Sequence, residues 1–230
     1  MREIPLLMNG PMVRATLAGH KTVTRRTNGL EYFSDNEPDN WRCVRVVGGY
    51  AYFVYGNSPV ERAEKCPYGQ VGDRLWVRET WAPDPPADGT WAYTSWAGCK
   101  GSKLMDIPER YRKPAHCMFA ADYPHDAKRW VWKPSIHMPR WACRILLEVS
   151  GVRVERLQDI SERDAVAEGV TAFYCGPAHD VKNPTRWGVE KTPLHESPTD
   201  AFCYLWEGIS GAGSWDANPW VWVIEFRRAK

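Results

Sequence analysis

"NGPMVRATLAGHKTVTRRT", residues 9–27, changes character at Gly19, and the reading of that change decides the fold. Pro11 suits a first helical turn, Met12, Val13 and Leu17 supply an apolar face, and Gly19 is placed to end the helix in the left-handed conformation. The residues that follow are β-prone. In a regular strand Thr22, Thr24 and Arg26 share one face, while Val23 and Arg25 take the other. Lys21 sits at the helix-to-strand turn, where strand parity does not set its direction.

The same alternation between short helices and strands continues along the chain. "WRCVRVVGGYAYFVY", residues 41–55, reads as a hairpin turning at Gly48 and Gly49. "CPYGQVGDRLWVRETWA", residues 66–82, has a punctuated turn through Gly69, Gly72 and Asp73, then a strand over 74–80. "RWACRILLEVSGVRVERLQDI", residues 140–160, gives two β-rich runs joined at Ser150 and Gly151. "SERDAVAEGV", residues 161–170, is a compact helix with Ser161 as N-cap, Asp164 three residues later, Val166 facing inward and Gly169 as the stop. "NPWVWVIEFRR", residues 218–228, is a strand with Trp220, Trp222, Ile224 and Phe226 on one face. Residues 83–139 and 171–215 show little periodicity and are expected to be irregular. Many short strands, two short helices and long excursions predict an α+β fold built on a small β-barrel or curled sheet.

Composition bounds the function. The chain has 230 residues, a length that one elaborated core can serve. Its net charge of +2 is too mild for a protein that coats nucleic acid, so any such contact must be local. The basic clusters are Arg25 with Arg26, then Arg110, Arg112 and Lys113, and finally Arg227, Arg228 and Lys230. Seven cysteines, Cys43, Cys66, Cys99, Cys117, Cys143, Cys175 and Cys203, form no C-x-x-C pair and fit reduced thiols better than a disulfide framework. No apolar run reaches 18 residues, and no stretch near residue 1 resembles a signal peptide. The expectation is a cytoplasmic protein without a membrane partner.

Motifs exclude several chemistries. His116, Cys117, His125, His137 and Cys143 lack zinc-finger spacing, so no metal is expected. Neither G-x-x-x-x-G-K-[ST] nor G-x-G-x-x-G occurs, and G-x-S-x-G is missing as well. The sequence therefore points to no nucleotide cofactor and no serine hydrolase.

The G-x-K-T-x-T-x-R string at 19–26, the G-D-x-L-x-V strand at 72–77, the helix end A-x-x-E-G at 165–169 and the final V-I-E-F at 223–226 together resemble the ASCH domain of the PUA-like superfamily. The resemblance covers residues 6–27, 67–82, 140–170 and 216–228 of a single domain, with insertions at 28–66, 83–139 and 171–215. It is also similar to uncharacterised phage and prophage proteins of that group. It implies a small RNA-associated β-barrel and, for some bacterial members, a metal-independent amidohydrolase that deacetylates N4-acetylcytidine. By motif position the catalytic roles fall on Lys21, Thr24 and Glu168, with Arg26 in support.

Amide hydrolysis asks for attack on the acyl carbon, stabilisation of the oxyanion and protonation of the leaving nitrogen. Glu168 suits a general base toward water or Thr24. A neighbouring carboxylate favours a charged Lys21, so the lysine is expected to bind the oxyanion rather than attack. Arg26 is expected to orient Glu168 or to contact ribose or phosphate. Thr22, Tyr68, Trp76, Glu79 and Trp81 complete the expected substrate contacts, with the two tryptophans placed to stack a base and Trp220 and Trp222 assigned to the core. The expected partner is a nucleoside or nucleotide, with RNA as a further one. A non-catalytic module reading RNA or a modified nucleotide, and a ribonuclease, are the alternatives for the same cleft.

Overall fold

A computed structural model of the chain describes residues 1–84, 104, 107–125, 131–174, 185–190 and 192–229. Cys99, Cys175, Lys230 and parts of the two expected irregular excursions lie outside the described residues. Along the chain the elements are β1 (Glu3–Leu7), α1 (Gly10–Leu17), β2 (Val23–Arg26), α2 (Glu31–Asp35), β3 (Trp41–Val47), β4 (Tyr50–Tyr55), β5 (Glu61–Lys65) and β6 (Arg74–Arg78). Then follow β7 (Trp81–Pro83), β8 (Cys117–Phe119), β9 (Leu146–Arg156), α3 (Glu162–Ala167), β10 (Thr171–Tyr174), β11 (Thr185–Gly188), α4 (Pro198–Ser210) and β12 (Trp220–Arg228). The class is mixed α+β, with strands predominating over short helices.

The largest sheet has the order β1-β6-β9-β12-β2; β3-β4-β5, β7-β8 and β10-β11 form smaller antiparallel sheets. A closed barrel requires its first and last strands to pair. Among the described residues β1 and β2 end the order without pairing to each other, so the expected barrel is open.

The chain divides into two compact units, one of Met1–Ile4, Ala15–Arg74 and Leu147–Lys230, the other of Pro5–Arg14 and Leu75–Leu146. In the first unit β12 lies between β9 and β2, antiparallel to both, with Trp222 opposite Arg26 and Val154, and Ile224 opposite Thr24 and Val152. Because both faces of a central strand are covered, alternation along β12 does not separate buried from exposed side chains. Trp220, Val221, Trp222, Val223, Ile224 and Phe226 are all buried. Each contributes about 1.5–3 kcal/mol of apolar burial. Phe33 of α2 stacks on Phe53 of β4 at 3.9 Å, and Phe53 meets Trp220 edge-on at 5.3 Å, which ties the β3-β4-β5 sheet to the same core.

The second unit has its own smaller core around Trp81, Phe119, Met138, Ala142 and Cys143. Trp81 exchanges backbone hydrogen bonds with Lys133 and packs edge-on against Trp141 at 5.5 Å.

Three sequence expectations change on folding. The two runs joined at Ser150 and Gly151 form one strand, β9, whose pairing with β12 shifts register at that join: Gly151 lies opposite Glu225 and Val149 opposite Phe226. In α3 the inward residue is Ala165, fully buried, whereas Val166 is 37% exposed. The stretch expected to be irregular at 171–215 contains α4. Its N-cap Ser197 accepts a hydrogen bond from the Asp200 backbone N–H, Pro198 occupies the first turn, and Ala201, Phe202, Leu205 and Trp206 form the buried stripe. That signature was present in "SPTDAFCYLW", residues 197–206, but polar neighbours obscured its 3.6-residue period.

Candidate functional site

Two glycines shape the site. Gly19, at φ +78°, turns the chain so that the N–H groups of His20 and Lys21 both reach the Ala15 carbonyl, at 2.9 and 3.0 Å. Gly169, at φ +105°, stops α3 where a Cβ would meet the Ala15 Cβ at 3.2 Å and the Lys21 Cβ at 3.5 Å. Only glycine permits that approach without displacing its neighbours. The Thr22 N–H then donates to the Ala167 carbonyl at 2.8 Å, which locks the start of β2 to the end of α3.

That junction buries Lys21 against Glu168, with 1% and 3% of their surfaces exposed. The Lys21 ammonium donates to the Glu168 carboxylate Oε2 at 2.5 Å, to the Glu168 carbonyl at 2.9 Å and to the Val23 carbonyl at 2.8 Å. Its three protons therefore have three acceptors. Burial still pulls the Lys21 pKa below the usual lysine range, against the opposing charge and hydrogen bond of Glu168, while Arg26 and Arg25 add repulsion. The expectation that a neighbouring carboxylate would dominate this balance omitted desolvation.

The other Glu168 oxygen, Oε1, accepts from Arg25 Nη1 at 3.3 Å. Arg25 is itself 1% exposed, so it is not part of a basic surface for nucleic acid. Its Nη2 donates to Glu155 Oε1 at 2.5 Å and to Asp164 Oδ2 at 2.9 Å, and its Nε donates to Glu155 at 3.1 Å. Arg153 bonds the same two acids and Glu225. The Phe202 ring of α4 lies 5.8 Å below the Arg25 guanidinium.

Among the residues expected to form the site, Lys21 and Glu168 meet directly. Arg26 does not take the Glu168-orienting position, which Arg25 occupies. Arg26 is half-buried and donates to the Arg25 carbonyl at 3.0 Å. Thr24 is fully buried, and its hydroxyl has no hydrogen-bond partner among the described residues. It is not bonded to Lys21 or Glu168, and strand alternation sends its side chain away from Arg25. Thr22 is exposed, and Tyr68 donates its hydroxyl to Asn28 Oδ1 at 3.0 Å. An open cleft of about 530 Å³ adjoins the β2–α3 junction, lined by Thr22, Val23, Arg153, Ser161, Asp164 and Glu225 among others.

Trp76, Glu79 and Trp81 belong to the second unit. Trp81 has no exposed surface and carries the core there, so its ring faces are taken by packing. Trp76 is half-buried with the guanidinium groups of Arg78 and Arg140 at 5.4 and 6.0 Å from its ring centre. Glu79 is 1% exposed and accepts from Arg144 through both oxygens, at 2.8 and 2.9 Å. Burial pushes its pKa up, against the pull of Arg144.

Arg25 is the site residue the sequence reading missed. Strand parity separates Arg25 from Arg26 but carries no signal of which of them meets α3. Among the described residues no group of three or more His, Cys, Asp or Glu side chains is arranged to hold a metal ion, and no helix is long and apolar enough to cross a membrane. No protein-family model, no curated protein and no solved structure matches the chain.

Proposed function

We propose that the chain is an ASCH-type, PUA-like amidohydrolase that removes an acyl group from a modified pyrimidine nucleoside such as N4-acetylcytidine. The observation that carries the reading is the buried 2.5 Å contact between Lys21 and Glu168, with the Thr24 hydroxyl left unpartnered nearby in the sequence. A lysine whose pKa is lowered by burial gives up its proton more readily than a solvated one. In this scheme Glu168 takes a proton from water as the water oxygen attacks the acyl carbon. The Lys21 ammonium bonds the oxyanion, and collapse breaks the C–N bond as Glu168 returns the proton it took from water to the exocyclic nitrogen. The products are acetate and cytidine, and the proton balance closes without a metal.

Lys21, Thr24 and Glu168 are all closed to solvent in the structure. Substrate entry must therefore displace neighbouring side chains, and the acyl oxygen must exchange for one of the three acceptors on Lys21. The test is incubation of the folded protein with N4-acetylcytidine, with cytidine followed by chromatography. Release that disappears in Glu168→Gln supports the reading. No release at high protein concentration overturns it, and nucleoside binding without turnover replaces it with a binding module.

A further inference from the structure

We infer that Arg25 is a positioning residue for Glu168, fixing the carboxylate so that Oε2 faces Lys21. The inference rests on the proposed hydrolytic reading for its functional meaning, while its geometric content stands apart from it.

The two oxygens of Glu168 are divided between two cations: Oε2 accepts from Lys21 and Oε1 from Arg25. A glutamate's last torsion is broad and roughly two-fold, so a carboxylate bonded through one oxygen is free to turn. A second donor on Oε1 removes that freedom. Arg25 is suited to the task because its planar fork is itself immobilised. Glu155 and Asp164 hold two of its nitrogens, and Arg153 bonds the other oxygen of Glu155 and shares Asp164 Oδ2 with Arg25. Neither Glu155 nor Asp164 bonds Lys21 through any of that ion's three donors, all of which are assigned. Orientation therefore passes from the frame to Glu168 through Arg25. A lysine in its place would keep one charge but could not span three carboxylates with fixed geometry.

The test compares Arg25→Lys and Arg25→Met with Glu155→Gln, which loosens the frame but keeps the Arg25–Glu168 bond. Two readouts are taken: the Lys21–Glu168 distance in a structure of each variant, and kcat against KM for N4-acetylcytidine. In Arg25→Lys the contact is expected to open beyond hydrogen-bond reach, and kcat to fall about 10²-fold with KM little changed, as for a misplacement of about 1 Å. Glu155→Gln is expected to lower the melting temperature and to lower kcat by less than Arg25→Lys does, because Asp164 still holds Arg25 Nη2 and the Arg25–Glu168 bond is kept. Should Arg25→Met fail to fold, Arg25→Lys decides the matter. An unaltered Lys21–Glu168 contact in Arg25→Lys overturns the inference whether or not the protein turns over substrate. An opened contact in a protein without turnover sustains it and removes only the hydrolytic reading.

Discussion

Glu168 in the first unit and Glu79 in the second are both glutamates with 3% exposure or less, and both are paired with arginine. They differ in how their oxygens are used. Both Glu79 oxygens lie on the fork of one guanidinium, and that arginine also bonds Asp122 and covers the Phe119 ring at 4.0 Å. The Glu79 carboxylate there faces a guanidinium, which does not give up its proton. Glu168 shares its oxygens between Arg25, whose charge is equally fixed, and Lys21, whose ammonium is made more acidic by burial. Burial of an ion pair is thus a poor guide to function on its own. The hydrolytic reading proposed for Glu168 uses the Lys21 ammonium, whereas both oxygens of Glu79 are taken by one guanidinium.

The comparison breaks most sharply at Arg144→Met. That change leaves Glu79 buried without an ion-pair partner among the described residues, and denaturant unfolding is expected to show a loss of about 3–5 kcal/mol. A loss below about 1 kcal/mol would mean that Glu79 reaches water or another donor. Lys21→Met is expected to cost less, about 1–3 kcal/mol, because Arg25 still pairs with Glu168, and it should abolish cytidine release.

A third buried carboxylate, Asp73, extends the contrast to a group with a depressed pKa. Burial alone would push it up, but the Arg2 backbone N–H, the Arg2 guanidinium and the Gln70 N–H hold it below the usual range. A depressed folded pKa stabilises the fold above the unfolded pKa of 3.8 and loses that contribution as pH falls toward the folded value. Asp73→Asn is therefore expected to cost about 1–2 kcal/mol at neutral pH, with native and variant stabilities converging below pH 3.8. Persistence of the full difference in acid would assign it to packing.

Thr24→Val sharpens the comparison with the smallest effect on folding. The hydroxyl it removes has no partner among the described residues, so unfolding free energy should change by less than about 0.5 kcal/mol or rise slightly. If the hydroxyl acts on substrate, turnover falls although stability does not, and retained turnover would reduce Thr24 to a filler of the β2–β12 interface.

Much of this architecture was legible locally. The glycine stop after α1, the hairpin at Gly48 and Gly49, the Ser161 cap and the final strand each depend on a few adjacent residues. The α4 helix was missed although its cap and stripe were present, because polar residues interrupted its pattern. The bond from Arg25 to Glu168 was illegible for a different reason. Strand parity assigned the two arginines to opposite faces but gave no means of telling which face met α3.

The amino-acid order alone determined the local turns, the caps, the strand parity of residues 22–26 and the chemical types available at positions 21, 24 and 168, since these follow from backbone sterics and short-range hydrogen bonding. Only the tertiary structure decided that Lys21 and Glu168, 147 positions apart, share a desolvated contact, and that Arg25 rather than Arg26 completes it. Desolvation and ion pairing depend on which distant surfaces are pressed together. That is a property of the packed sheet and helices and is encoded in no single stretch of the chain.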